Sequence, residues 1–149
     1  MHFLSRRSVL ALAAVLDVAL HARPVPVAAK ALAARHNLPP RHLETLLQAL
    51  VRANILKGVR GPRGGYELAR ERRRISAADI VRAAMTAAED EATPSPDSML
   101  VGKIVAPVVD KATQAFLAEL EAVTIEEMCR RADRLHAVEG LVASADFTI

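Results

Sequence analysis

The segment Val59-Arg60-Gly61-Pro62-Arg63-Gly64-Gly65-Tyr66 carries the most specific chemistry in this sequence. Its two arginines offer charge and hydrogen-bond donors. The adjacent glycines Gly64 and Gly65 permit positive φ and close approach of the main chain to a phosphate or groove wall. This is the chemistry of recognising an anionic polymer, not of making bonds. A second set, Arg41, His42 and Glu44, follows Pro40. On a helix these side chains lie near the N-terminal end of the polar side. There a carboxylate can accept from a cytosine amino group, and an arginine can reach a guanine or a phosphate. Glu44 is the more telling residue, because a carboxylate in a basic surface weakens general phosphate attraction. Base selection accounts for it, and an ion pair with Arg41 three residues earlier is the competing account. The run Arg70, Arg72, Arg73 and Arg74 is read as a solvated face that adds phosphate contacts without sequence information.

Reactive chemistry finds no support. No nucleophile stands in a recognisable pairing with a base, so the chain is not read as an enzyme. His2, His21, His36, His42 and His136 show no paired spacing for a metal, and no cofactor is expected. The one cysteine, Cys129, cannot form an internal disulfide, and a reducing compartment, the cytoplasm, follows as the default. Glu126, Glu127 and Asp133 disfavour a low-pKa thiolate despite Arg130 and Arg131. Cys129 is therefore read as a small residue of the last helix, with a thiol-sensor role as the alternative.

The elements that must position these residues are legible from periodicity and punctuation. Ser5 is a suitable N-cap for a first helix reaching about His21, with Val9, Leu12, Leu16 and Leu20 at helical spacing, and Arg23-Pro24-Val25-Pro26 ends it. A short second helix fits 28–35, with Ala31 and Leu32 inward and Asn37 in a left-handed turn. Pro39-Pro40 opens a third, whose buried face is Leu43, Leu46, Leu47 and Leu50. Together the two form a helix-turn-helix. Alternation on either side of 61–65 predicts a β-hairpin, the wing. Ser76 and Asp79 begin a fourth helix, with Ile80, Val81 and Ala84 inward. Residues 89–98 read as an acidic linker. Beyond it, Val101, Ile104, Val105, Val108, Ala112, Ala115 and Phe116 form an apolar stripe too long for the remaining chain to cover, which predicts a dimerisation helix that Pro107 either kinks or starts. Thr124 and Glu127 resemble a capping box for a last helix over 125–135, and no strong signal follows Gly140. The division expected is a winged helix-turn-helix domain at 1–88, the linker, dimerisation and final helices at 99–138, and a tail at 139–149.

Composition agrees with a mainly α fold carrying a small β wing: 52% of residues are hydrophobic, and only four are aromatic. Residues 1–75 hold 14 Lys/Arg against 4 Asp/Glu, whereas residues 76–149 hold 6 against 13. The basic half attracts a polyanion, and the acidic half should stay off it. Ser5-Arg6-Arg7-Ser8-Val9-Leu10 has the look of a twin-arginine export signal, but Asp17 cuts the apolar run short and the helical spacing favours an internal helix. No run is long enough to span a membrane.

From Pro24-Val25-Pro26 through Leu43-Glu44 and Leu46 to the wing segment, and on to Ile75 and Asp79-Ile80, the chain resembles the Rrf2 family of bacterial transcriptional regulators. The resemblance covers about the first 85 residues in detail and the rest in plan. It implies a homodimeric winged helix-turn-helix binding a pseudo-palindromic operator in double-stranded DNA, with the third helix in the major groove and the wing in the minor groove. By matching position, Arg41 and Glu44 would be recognition-helix contacts, and Arg60, Arg63 and Gly64 wing contacts. The full expected DNA-contacting set is Ala28, Pro40, Arg41, His42, Glu44, Lys57, Arg60, Gly61, Arg63, Gly64, Gly65 and Tyr66. Cluster-binding members place three cysteines around the linker, but 88–105 holds none here, so no iron–sulfur cluster is expected. A repressor without a cluster, answering to an unknown small-molecule or protein effector, is the leading reading. A protein-interaction adaptor keeping the same fold is the alternative, and an exported protein is a third.

Overall fold

In the computed structural model, which describes residues 4–89 and 96–146, with side chains at 4–86 and 96–137, Ser5 caps the first helix as its sequence predicts. Its hydroxyl accepts from the Ser8 amide at 3.1 Å and starts α1 (Arg6–His21). The deepest face of α1 is not the expected Val9, Leu12, Leu16 and Leu20 row. Ala11, Ala14, Val15 and Val18 are fully buried instead, while Leu12, Leu16 and Leu20 are only partly covered. These small side chains lie in the core, where the most extensive neighbour of α1 is α4 (Ala77–Glu89), and the leucines pack partly covered against that core. The segment expected to resemble an export signal is thus an integral part of the core.

The corner after α1 contains a cis Arg23–Pro24 peptide and leads to α2 (Ala29–Arg35), which buries Leu32 and Ala33 rather than Ala31. Asn37 takes the left-handed conformation at φ 54°, and α3 (Arg41–Arg52) follows, burying Leu43, Leu46, Leu47 and Leu50 as its spacing requires. Asn54, at φ 57°, turns the chain directly into β1 (Leu56–Val59), which pairs antiparallel with β2 (Gly65–Leu68) in the register Leu56 to Leu68 and Val59 to Gly65. A 3₁₀ turn, Arg72–Arg74, then leads to α4. There Ser76 and Asp79 form a reciprocal capping box: the Asp79 amide donates to Ser76 Oγ at 3.0 Å, and the Ser76 amide donates to Asp79 Oδ2 at 3.1 Å.

The acidic linker expected at 89–98 falls largely on 90–95, which lie outside the described residues, as do His2 and the end of the tail. Beyond it, Val101–Val105 forms a π-helical turn before α5 (Ala106–Glu121). Pro107 has no amide to donate, and Ala106 donates to Val101 O, five residues back, so the proline is accommodated by a widened turn at the true start of α5. The last helix, α6 (Ile125–Asp146), runs well past Leu135: no proline follows to stop it, and the one glycine, Gly140, costs only about 1 kcal/mol.

The core crosses the division expected from sequence. The Ala77 amide donates to Val123 O and the Ile125 amide to Ile75 O, at 2.8 and 2.9 Å, so the α5–α6 corner is stitched to the segment entering α4. Ile125 and Cys129 are consequently buried in the same cluster as Val15, Leu46 and Ile80. Arg82 adds an exposed link from α4 to α5 through Glu121 at 3.0 Å.

Candidate nucleic-acid interface

The exposed side of α3 begins with Pro40, Arg41, His42 and Glu44, all open to solvent. No ion pair joins Glu44 to Arg41 among the described residues. The same face continues through Thr45, Gln48 and Arg52, which sequence reasoning missed. Counting in threes and fours from Arg41 would have found them, since those steps stay on one helical face. Gln48 has the donor and acceptor needed to read adenine.

The wing tip presents Arg60, Gly61 and Arg63, all exposed. Gly61 has open space around it and takes a positive φ of 118°, a conformation expected from sequence at the adjacent Gly64 and Gly65. The paired glycines also meet a demand within the protein. A Cβ at Gly64 would lie 2.3 Å from Val59 O, and one at Gly65 would lie 2.3 Å from Val27 O and 2.8 Å from the Ala28 nitrogen. Both glycines are therefore demanded by the protein's own backbone.

That crowding builds a joint. The Val27 amide donates to Tyr66 O at 2.9 Å, and the Tyr66 amide donates to Val27 O at 2.8 Å, making the segment before α2 a one-residue third strand beside β2. Ala28, exposed at the start of α2, thus lies directly against the wing. Tyr66 contributes its backbone to this joint and packs its partly buried side chain on the core. Lys57 sits opposite Glu67 in the hairpin and is paired with it at 2.9 Å, at the base of the wing and away from the tip. Of the expected DNA contacts, Gly64, Gly65 and Tyr66 also have roles within the hairpin and its joint, while Ala28, Pro40, Arg41, His42, Glu44, Lys57, Arg60, Gly61 and Arg63 are at the surface.

A second joint fixes α2 to α1. Asp17, 7% exposed, accepts from Arg35 Nε at 2.9 Å and Arg35 Nη2 at 2.6 Å, and from His36 Nε2 at 3.1 Å, with His21 Nδ1 at 3.2 Å. Burial pushes the Asp17 carboxyl up, but the Arg35 hydrogen bonds and charge, with help from His21 and His36, outweigh it and hold the group below the usual carboxylate range. The sequence displays Asp17 only as a break in an apolar run; apart from His21 one turn on, its partners Arg35 and His36 are 18 and 19 residues away.

The arginines after the wing are largely committed inside the protein. Arg70 donates to Asn54 O and Arg74 O, Arg72 donates to Ala19 O at the end of α1, and Arg73 pairs with Glu71.

On α5 the stripe lies open. Ile104 and Val108 are 61% and 68% exposed, Val105, Ala112, Ala115 and Phe116 are exposed as well, and Val101 is half-buried. Met99, Leu100 and Val109 extend the patch beyond the expected set. Cys129 is 1% exposed, and burial pushes its thiol up, against the pull of Arg72 and with the push of Asp133 and Glu126. A neutral, enclosed thiol packs as a small apolar group, and its surroundings lend a sensor role no support.

The Rrf2 family, described as an iron-dependent transcriptional regulator, matches residues 4–131. A Synechocystis protein carrying the name HTH-type transcriptional regulator slr0846 is 32% identical over 142 residues, covering 92% of this chain and 94% of that one. The IscR of Vibrio atlanticus is 40% identical over 81 residues, 54% of this chain and 44% of its own length. Among solved structures, T. potens IscR superposes with a TM-score of 0.66 at 31% identity, covering 87% of each chain. CymR, the global cysteine regulator of B. subtilis, shares the fold with a TM-score of 0.64 at 24% identity, over 88% of this chain and 98% of its own.

Proposed function

The chain belongs to the Rrf2 family of transcriptional regulators, and from that premise we propose that it binds a pseudo-palindromic operator in double-stranded DNA as a cytoplasmic homodimer and represses transcription. It is a DNA-binding winged helix-turn-helix regulator and not an enzyme. Among the described residues no helix is long and apolar enough to cross a membrane.

The joint at Gly65 carries the reading. It holds the wing, with Arg60 and Arg63 at its tip, against the start of α2, while the turn at Asn54 joins the same hairpin to α3. The arginines supply phosphate attraction without sequence information, and Arg41, His42, Glu44 and Gln48 supply base selection. Dimerisation is supported by the α5 stripe, because leaving Ile104, Val108 and Phe116 in water forfeits roughly 25 cal/mol per Å² of apolar surface that a second copy would cover.

The iron in the family's description does not fit these residues. Iron–sulfur clusters need several thiolate or imidazole ligands at one place. Here the one cysteine is enclosed in the core with its thiol neutral, and among the described residues no three His, Cys, Asp or Glu side chains are arranged to hold a metal ion. The Asp17 group is already occupied by Arg35.

Binding to operator and to random DNA, measured by fluorescence anisotropy across a salt series, tests the reading. Arg63→Ala should weaken both alike and lower the salt slope by about one. Glu44→Ala should loosen sequence preference more than affinity. Salt-insensitive binding, or an unaltered preference profile in the Glu44 variant, would contradict these assignments.

A further inference from the structure

Behind the wing lies an open cleft of about 1040 Å³, walled by the end of α1 and the Arg23-Pro24 corner, the hairpin base, the 3₁₀ turn and Glu126 of α6. Six basic side chains line it against three carboxylates, a formal excess of three positive charges. Internal pairing neutralises part of the set: Lys57 with Glu67 at 2.9 Å and Arg73 with Glu71 at 2.7 Å. Arg70 is spent on two backbone carbonyls and Asp79, and Arg72 is anchored on Ala19 O. Arg23 and Arg74 are left. Both are exposed and both line the cleft; neither side chain makes a hydrogen bond or ion pair among the described residues, though Arg74 also helps Arg73 hold the Glu71 carboxyl below the usual range, and Glu126 is the lining carboxylate without an ion pair.

Exposed guanidiniums without a hydrogen-bond partner, lining one concavity, are suited to bidentate capture of an oxyanion. The volume is at the upper end of small-molecule sites, about 300–1,000 Å³, and the charged lining asks for a charged ligand. Position separates the cleft from the DNA-reading tip. Leu68, in its wall, is three residues along β2 from Gly65, about 10 Å further from the tip than the start of that strand.

We propose that this cleft is a binding site for a phosphate-bearing anion, gripped by Arg23 and Arg74. A free phosphorylated small molecule and a backbone phosphate of bound DNA share that chemistry, and the test distinguishes them. Pyrophosphate is titrated calorimetrically into the full-length protein at constant ionic strength. Saturable binding is expected, weakened at least tenfold in Arg23→Ala/Arg74→Ala and unchanged in Arg60→Ala/Arg63→Ala. Both pairs are exposed, so the variants should fold, and unchanged far-UV circular dichroism checks this. DNA affinity of the Arg23/Arg74 variant then identifies the source. An unaltered salt slope assigns the site to a free anion, and a slope lowered by about two assigns it to the DNA backbone. Absence of saturable pyrophosphate binding, its persistence in the Arg23/Arg74 variant, or its loss in the wing-tip variant overturns the proposal.

Discussion

Gly65→Ala tests how the wing is held. The added methyl would sit 2.3 Å from Val27 O, 2.5 Å from Val27 C and 2.8 Å from the Ala28 nitrogen, all backbone atoms with no rotamer to swing aside. Reaching ordinary contact near 3.4 Å requires the hairpin to move about 1 Å off the α2 entry. That shift breaks both hydrogen bonds between Val27 and Tyr66, worth roughly 1 kcal/mol each, and opens Val27, now 5% exposed, for about 1 kcal/mol more. The loss is about 3 kcal/mol, a Tm lower by on the order of 10 °C for a chain of this length. Thermal melts followed by circular dichroism, with DNA affinity at fixed salt, make the measurement. Affinity should fall as well, because the tip arginines lose their register with α2 and α3. Gly58→Ala, which meets nothing within 4 Å, serves as the control and should move neither quantity. A Gly65→Ala protein that melts within about 2 °C of the parent and binds DNA equally well would refute the joint.

Three further outcomes follow from the same structure. Val108→Glu places a charge at the 68%-exposed centre of the α5 stripe and should convert dimers to monomers in sedimentation velocity; an unaffected dimer would locate the interface elsewhere. Asp17 has a folded pKa below its unfolded value, so its contribution is present above about pH 4 and is lost as pH falls through the folded pKa. Asp17→Asn should therefore cost roughly 2 kcal/mol at pH 7 and flatten the acid limb in denaturant melts; an equally steep acid limb in the variant would dismiss the carboxylate's role. Anaerobic treatment of the purified protein with iron and sulfide should yield no cluster absorbance and unchanged operator binding, and stoichiometric iron and sulfide lost in Cys129→Ala would reverse that reading.

Much of the architecture was legible along the chain because its signals are local. The Ser5 and Ser76 caps, the leucine spacing of α3, the left-handed Asn37 and the glycine-bounded hairpin each depend on residues within one or two turns of one another. The charge division between the two halves and the exposed arginines of the wing tip were equally open to reading, since a count and a turn signal suffice for both. The extension of α6 past Leu135 was not, because a helix whose residues are merely compatible with it carries no start or stop signal. Nor was the choice of the alanine face over the leucine row in α1, which the packing of the core decides. Only the tertiary structure determined which cation meets which anion: Arg35 with Asp17 and Lys57 with Glu67, while Arg23 and Arg74 are left open. It also showed Gly64 and Gly65 to be places where the chain passes its own backbone. The physical reason is common to these cases. Propensity, capping and periodicity act over a few residues, whereas a clash or an ion pair is set by atoms that folding alone brings within a few ångströms.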